Sequence, residues 1–242
     1  MYGQLLSYLF LPLTGIEPVF DKHFCDMPMN LPPLDAALPH DAQLTCRGLD
    51  VIRGEVVLCA DVDLTLNAGD ICHLTGENGT GKTTLLHQLA GLLPIEQGEV
   101  LWQGQPMLPP QPVYIGHQVG IDSQLTVAQN LRFLLALYDV TPKADALAEA
   151  LAWAGLAGFD DVACYQLSAG QTRRVGLARL WFAHVCPLWL LDEPLTALDG
   201  AMIQRLEARM TQYAAHGGTV LVTSHQTLQV ANKRLDLTAF MV

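Results

Sequence analysis

An α/β fold is the class that this 242-residue sequence predicts: a mainly parallel sheet, an antiparallel β portion and an inserted helical lobe. Three observations point there. A strand, glycine-rich loop and helix follow one another over residues 71–90. Short apolar runs of β type precede and follow that unit. A block of helical periodicity separates it from two later apolar strands.

In chain order, residues 1 to about 40 carry Pro12, Pro18, Pro28, Pro32, Pro33 and Pro39 with little periodicity, which reads as an irregular N-terminal extension. Met27 or Met29 is a candidate natural start within it, and an arm contacting a membrane or partner is the alternative reading. The apolar run from Leu5 to Val19 is broken by Pro12, Gly15 and Pro18 and lacks the basic lead of a signal peptide. From residue 41 to 242 the texture is that of one domain. Leu44 to Leu49, Val56 to Leu58 and Val62 to Leu66 read as short strands, followed by a turn at Asn67-Ala68-Gly69-Asp70 and a buried strand at Ile71 to Leu74. Thr84 to Ala90 has helical spacing and closes on Gly91 and Pro94. Gly98 to Trp102 is a strand, Gly104-Gln105-Pro106 a turn, and Val113 to Ile115 a short strand.

The helical lobe spans about residues 119–186. Thr126 is its first N-cap, with Gln129 completing a capping box. Thr141-Pro142 opens a second helix through Ala154, capped by Gly155. A third follows Leu167-Ser168-Ala169-Gly170 and runs to about His184. The run Leu188 to Leu191 is then a strand ending at Asp192, Ala201 to Ala215 is a helix, and Thr219 to Thr223 is the last clear strand.

The loop Gly76-Glu77-Asn78-Gly79-Thr80-Gly81-Lys82-Thr83 has the spacing G-x-x-x-x-G-K-T, in the strand-to-helix setting that a phosphate-binding P-loop requires. Its glycines let consecutive backbone N–H groups point at a polyphosphate, and the following helix adds its positive end. The candidate phosphate-binding residues are therefore Gly76, Glu77, Asn78, Gly79, Thr80, Gly81, Lys82, Thr83 and Thr84. Lys82 would reach the β- and γ-phosphates, and the Thr83 hydroxyl would ligate Mg²⁺. A carboxylate at the C-terminal end of a strand belongs beside such a loop. Asp192 is the candidate Mg²⁺ ligand and Glu193 the candidate general base for an attacking water.

Leu167-Ser168-Ala169-Gly170-Gln171, placed shortly before the Asp-Glu strand, adds a third fixed point. With these motifs in this order, the chain from about Leu44 to His225 resembles the ATP-binding cassette (ABC) family of transport ATPases. That resemblance implies a P-loop NTPase fold with a RecA-like parallel-sheet core, with ATP and Mg²⁺ as cofactors. It implies that Ser168, Gly170 and Gln171 meet the γ-phosphate bound to a second copy, so that a homodimer sandwiches two ATPs. It places Gln118 at a loop touching Mg²⁺ and water, Ala197-Leu198-Asp199 at a loop that communicates across the dimer, and His225 at the switch histidine that holds Glu193 and the water in line. Two positions depart from the family pattern. Ala169 stands where glycine is usual, and no Phe, Tyr or Trp lies between Phe24 and Trp102 to stack on adenine. Arg53 or Ile52 is the replacement candidate.

Within that family, Tyr114 to Ile121, Leu125-Thr126-Val127, Asn130 to Phe133, Ala178 to Trp181 and Leu188 to Pro194 are similar to the ATPase subunits of cytochrome c maturation haem exporters. The implied protein is a peripheral ATPase on the cytoplasmic face of the bacterial inner membrane, docked on integral membrane transporter subunits and serving haem delivery.

Composition and local sequence weigh against several alternatives, while the ATPase subunit of another ABC transporter and a non-transport ABC binding or scaffold module stay open. The net charge of −11 argues against a nucleic-acid partner. Cys25, Cys46, Cys59, Cys72, Cys164 and Cys186 form no C-x-x-C pair and read as reduced, buried thiols. A guanine reader fails at Asn232-Lys233, because Arg234 and Leu235 follow. A binding module without turnover would be expected to have lost Lys82, Glu193 or His225, and all three are present.

Overall fold

The computed structural model describes residues 43–109, 111–183 and 186–242, so the extension read over residues 1 to 40 lies outside the described residues. An antiparallel sheet comes first. Strands β1 (Gln43–Arg53), β2 (Val56–Asn67), β4 (Glu99–Trp102) and β5 (Gln105–Pro106) lie in the order β2-β1-β4-β5. The second sheet is parallel: β6 (Val113–Ile115), β7 (Leu188–Leu191), β8 (Thr219–Thr223), β3 (Ile71–Thr75) and β9 (Lys233–Asp236), in the order β6-β7-β8-β3-β9. Helices α1 (Lys82–Leu89), α2 (Val127–Ala136), α3 (Ala144–Trp153), α4 (Ala169–Ala178) and α5 (Gly200–Ala215) complete the fold, with α2 to α4 inserted between β6 and β7.

Where sequence and structure differ, each difference has a local cause. Val56 to Leu58 and Val62 to Leu66 are not separate strands but parts of β2. A bulge at Asp61, held at φ +54°, shifts the side-chain phase. Cys59 is buried on one alternation, and Val62, Leu64 and Leu66 on the other. The period-2 signal therefore breaks mid-strand. Asp50 stabilises the bulge by accepting from the Asp61 N–H at 3.1 Å. The turn expected at Gly104-Gln105-Pro106 sits one residue earlier. Gln103 and Gly104 both have positive φ, the geometry of a tight hairpin, and Gln105 and Pro106 pair back onto Trp102 and Leu101.

Helix α3 starts at Ala144 rather than at Thr141-Pro142. Helix α4 stops at Ala178 and tightens into a 3-10 turn over Arg179–Trp181, short of the expected His184. The buried guanidinium of Arg209 on α5 ends it by donating to the carbonyls of Leu180 (3.1 Å) and Trp181 (2.7 Å). Strand β9 was not expected from sequence. Of Lys233-Arg234-Leu235-Asp236 only Leu235 is buried, as befits a charged edge strand.

The apolar strands β7 and β8 are wholly buried. Trp189 on β7 stacks on Tyr213 of α5 with ring centroids 3.8 Å apart, and its indole N–H donates to the Ala183 carbonyl at 3.1 Å. Trp189→Ala removes both contacts and opens a cavity in a site closed on all sides. We expect it to cost roughly 3–5 kcal/mol, read as a fall in the denaturant midpoint without a change in slope. Cys46, Cys59, Cys72, Cys164 and Cys186 are free and buried, and burial pushes the Cys46 and Cys72 thiols up to about 12. Cys25 lies outside the described residues.

Candidate functional site

The parallel sheet sets its functional residues at the C-terminal ends of adjacent strands. β3 leads into the glycine-rich loop, β7 ends at Asp192-Glu193, and β8 leads to His225. Between them lies a cleft lined by Asn78, Gly79, Gly81, Lys82, Thr83, Thr84, Asp192, Glu193 and His225, with Arg53 and Leu58 on the antiparallel side.

The loop is bound tightly to itself. Thr80 closes it by donating its N–H and hydroxyl to the Glu77 carbonyl, at 3.3 and 3.0 Å. Gly81 is the N-cap of α1 at φ +99°, and a Cβ there would come within 2.8 Å of Val51, so both the backbone and the neighbour demand glycine. Lys82 curls over the loop, donating to the carbonyls of Gly76 (2.7 Å) and Glu77 (2.8 Å).

Asp192 is buried, and each of its carboxylate oxygens accepts a hydroxyl at 2.8 Å, one from Thr83 and the other from Thr223. Thr223 also accepts the Glu193 N–H at 2.8 Å. Glu193 lies in the left-handed region at φ +51°, which costs a non-glycine residue about 1–2 kcal/mol. Its backbone is gripped on both sides, since the Glu193 carbonyl accepts from Arg173 at 2.5 Å. Its carboxylate faces His225: Oε2 accepts the His225 N–H at 3.2 Å, and Oε1 lies 3.7 Å from His225 Nε2. Oε1 is buried and has no hydrogen-bond partner among the described residues.

Loop, carboxylate pair and histidine are thus gathered at one place. The family model for ABC transporters matches residues 59–196, more than half of the chain. The chain belongs to the ABC transporter family. Like other ABC ATP-binding subunits it is an ATPase cassette, and the parallel core with its antiparallel flank is the P-loop NTPase architecture. It is 48% identical over 198 residues to the cytochrome c biogenesis ATP-binding export protein CcmA of Escherichia coli K12, covering 79% of this chain and 93% of the relative. The protein of that name from Vibrio cholerae is 46% identical, with 79% and 95% covered. Among solved structures, an ABC transporter ATP-binding protein from Pyrococcus furiosus matches with a TM-score of 0.73 at 22% identity, over 83% of this chain and all of that one. The cassette MJ0796, solved as a dimer in a post-hydrolysis state with ADP and Pi, matches at 0.66 and 23% identity, over 80% and 93% of the two chains. At these identities the solved structures bear on the fold alone.

Other expected positions of the ABC cassette lie apart from the cleft. Ser168 and Gln171 form a reciprocal capping box at the start of α4, the Ser168 hydroxyl accepting the Gln171 N–H at 3.2 Å and Gln171 Oε1 accepting the Ser168 N–H at 2.9 Å. Neither these two nor Gly170 line the cleft. Gln118 is exposed, three residues beyond β6, and is likewise not a lining residue. Asp199 caps α5 by accepting the Met202 N–H at 2.8 Å and pairs with Arg174. Of the two adenine candidates, Arg53 lines the cleft and Ile52 does not.

Two residues at the site were not singled out from sequence. Thr223 was read only as the end of a strand, and nothing in its apolar run marks it. Arg173 has no motif to mark it, yet its guanidinium donates to four backbone carbonyls beside the site. Burial pushes its guanidinium below the usual range, while the carboxylates of Asp192 and Glu193 pull it back up.

Proposed function

We propose that this chain is the ATPase subunit that powers an export step of cytochrome c biogenesis, the step serving haem delivery. The observation that carries the reading is near-full-length similarity to proteins named for that process, together with a complete Lys82–Thr83–Asp192–Glu193–His225 cluster.

The chemistry follows from the cleft. Lys82 exchanges its loop carbonyls for the β- and γ-phosphates of ATP, and the α1 N-terminus supports the same charge. Thr83 Oγ1 and Asp192 Oδ2, 2.8 Å apart, are hard oxygen donors suited to Mg²⁺. No cluster of three or more His, Cys, Asp or Glu placed for a metal occurs among the described residues. Phosphate oxygens and water would therefore complete the shell, as is usual for Mg²⁺. When bound, that ion neutralises charge across the β- and γ-oxygens. Glu193 Oε1 takes a proton from the attacking water, and His225 holds the carboxylate and the γ-phosphate in line. Arg53 stacks on adenine beside Leu58.

Ser168, Gly170 and Gln171 then act on the nucleotide of a second copy. That none of them lines this chain's own cleft supports that division of labour. Gln118, exposed beside β6, is the residue that would contact Mg²⁺ and water. No helix among the described residues is long and apolar enough to cross a membrane. In this reading the chain docks on the cytoplasmic face of partner subunits that carry the spans.

The test is affinity capture of the tagged full chain from native membranes, with mass spectrometry of what accompanies it. Polytopic subunits of cytochrome c biogenesis are the expected companions. Recovery of an unrelated permease would keep the ATPase and remove the biogenesis role.

A further inference from the structure

Arg173 makes a set of contacts that neither nucleotide binding nor pairing of two copies requires. Its buried guanidinium sits one turn past Gly170 on α4. Nη1 donates to the carbonyls of Gly116 (2.8 Å) and His117 (2.9 Å), and Nη2 to those of Asp192 (3.0 Å) and Glu193 (2.5 Å). The first pair leads directly into Gln118, and the second belongs to the Mg²⁺-ligand and general-base residues of the cleft. Two further contacts tie the same loop to α4 and to the 3-10 turn that follows it. Val119 packs so closely on Gly176 that a Cβ there would lie 2.5 Å from its own Cβ, and Arg179 donates to the Val119 carbonyl at 3.4 Å.

We infer that Arg173 is a positioning residue for hydrolysis, holding the Glu193 backbone carbonyl and thereby linking the aim of the Glu193 carboxylate to the placement of α4 and the Gln118 loop. This rests on the reading of Glu193 as the base. With φ at +51°, the Glu193 backbone sits outside its preferred regions, so external bonds must hold it. Thr223 takes its N–H and Arg173 its carbonyl. A swing of that peptide would carry Oε1 away from His225, now 3.7 Å distant. Because α4 begins at Ser168, a displacement of that capped end reaches Glu193 through a single rigid side chain. Four carbonyls on two chain segments match the planar fork of a guanidinium. A lysine ammonium, a point charge on a flexible stem, cannot span both segments at once.

The experiment uses the full chain, purified with whatever membrane subunits accompany it, and compares wild type, Arg173→Lys, Arg173→Ala and Glu193→Gln in ATP turnover and equilibrium ATP binding. Arg173→Lys is expected to lower kcat by about tenfold to a hundredfold while the KM for ATP stays within about twofold. Guanidinium at low, non-denaturing concentration is expected to restore several-fold of the activity of Arg173→Ala and none of that of Glu193→Gln. A kcat for Arg173→Lys within about twofold of wild type overturns the inference. So does a loss of turnover that merely tracks a loss of ATP-binding protein, since that is what a purely structural arginine would give. Failure of the two readings can be told apart. Full turnover in Glu193→Gln removes the base and this inference together, whereas an inactive Glu193→Gln beside a fully active Arg173→Lys removes this inference alone.

Discussion

Glu193→Gln should lower steady-state ATP turnover by about 10²–10⁴-fold, the range that a general base contributes, while ATP still binds. The substitution is nearly isosteric. A glutamine carbonyl can still accept the His225 N–H that now reaches Glu193 Oε2 at 3.2 Å, and the backbone bonds to Thr223 and Arg173 are untouched. What disappears is the capacity to accept a proton at Oε1, the buried atom without a partner among the described residues. ATP bound between two copies would therefore persist, and gel filtration with ATP should show the dimer accumulating. Turnover at the wild-type rate would place the base elsewhere.

Lys82→Ala should act one step earlier, on binding itself. Lys82 Nζ is the cation that reaches over the loop to the Gly76 and Glu77 carbonyls. Removing a charged partner from a phosphate contact costs roughly 2–5 kcal/mol, or about 30- to 5,000-fold in Kd. Equilibrium titration with ATP reads this directly. The loop should keep its shape, because Thr80 and the N-terminus of α1 close it independently of the lysine. Together the two variants separate binding from chemistry: one should hold ATP without cleaving it, and the other should scarcely hold it. An ATP affinity within about twofold of wild type for Lys82→Ala would contradict the phosphate role.

Much of this cleft was legible in the sequence because its parts are local. The loop from Gly76 to Thr83 carries its own spacing, and Asp192-Glu193 follows an apolar strand that can only be interior. The capping box at Thr126, in the helical lobe, is likewise legible because it is written within four residues. What escaped reading depends on pairing across the chain. The bulge at Asp61 hides a single long strand behind two phases. β9 is almost wholly polar and is a strand only because β3 lies alongside. Arg173 looks like any solvent-facing arginine until four carbonyls from two distant segments converge on it. Thr223, at the end of an apolar run, shows its role only when β7 brings Asp192 beside it.

The strand order of the parallel sheet has a consequence for how the chain is made. β3, which carries the nucleotide loop, is flanked by β8 and β9, and both follow it by more than 140 residues. On the ribosome, residues 71–75 wait through some 140 residues of further synthesis for either hydrogen-bonding neighbour. During that interval a strand meant for the interior of the sheet has two open edges. Its loop cannot yet be fixed beside Asp192 and Glu193. ATP therefore cannot help the nascent chain to fold by binding a finished site. Domain completion and the capacity to recognise nucleotide arrive together, once β8 and β9 have both been made.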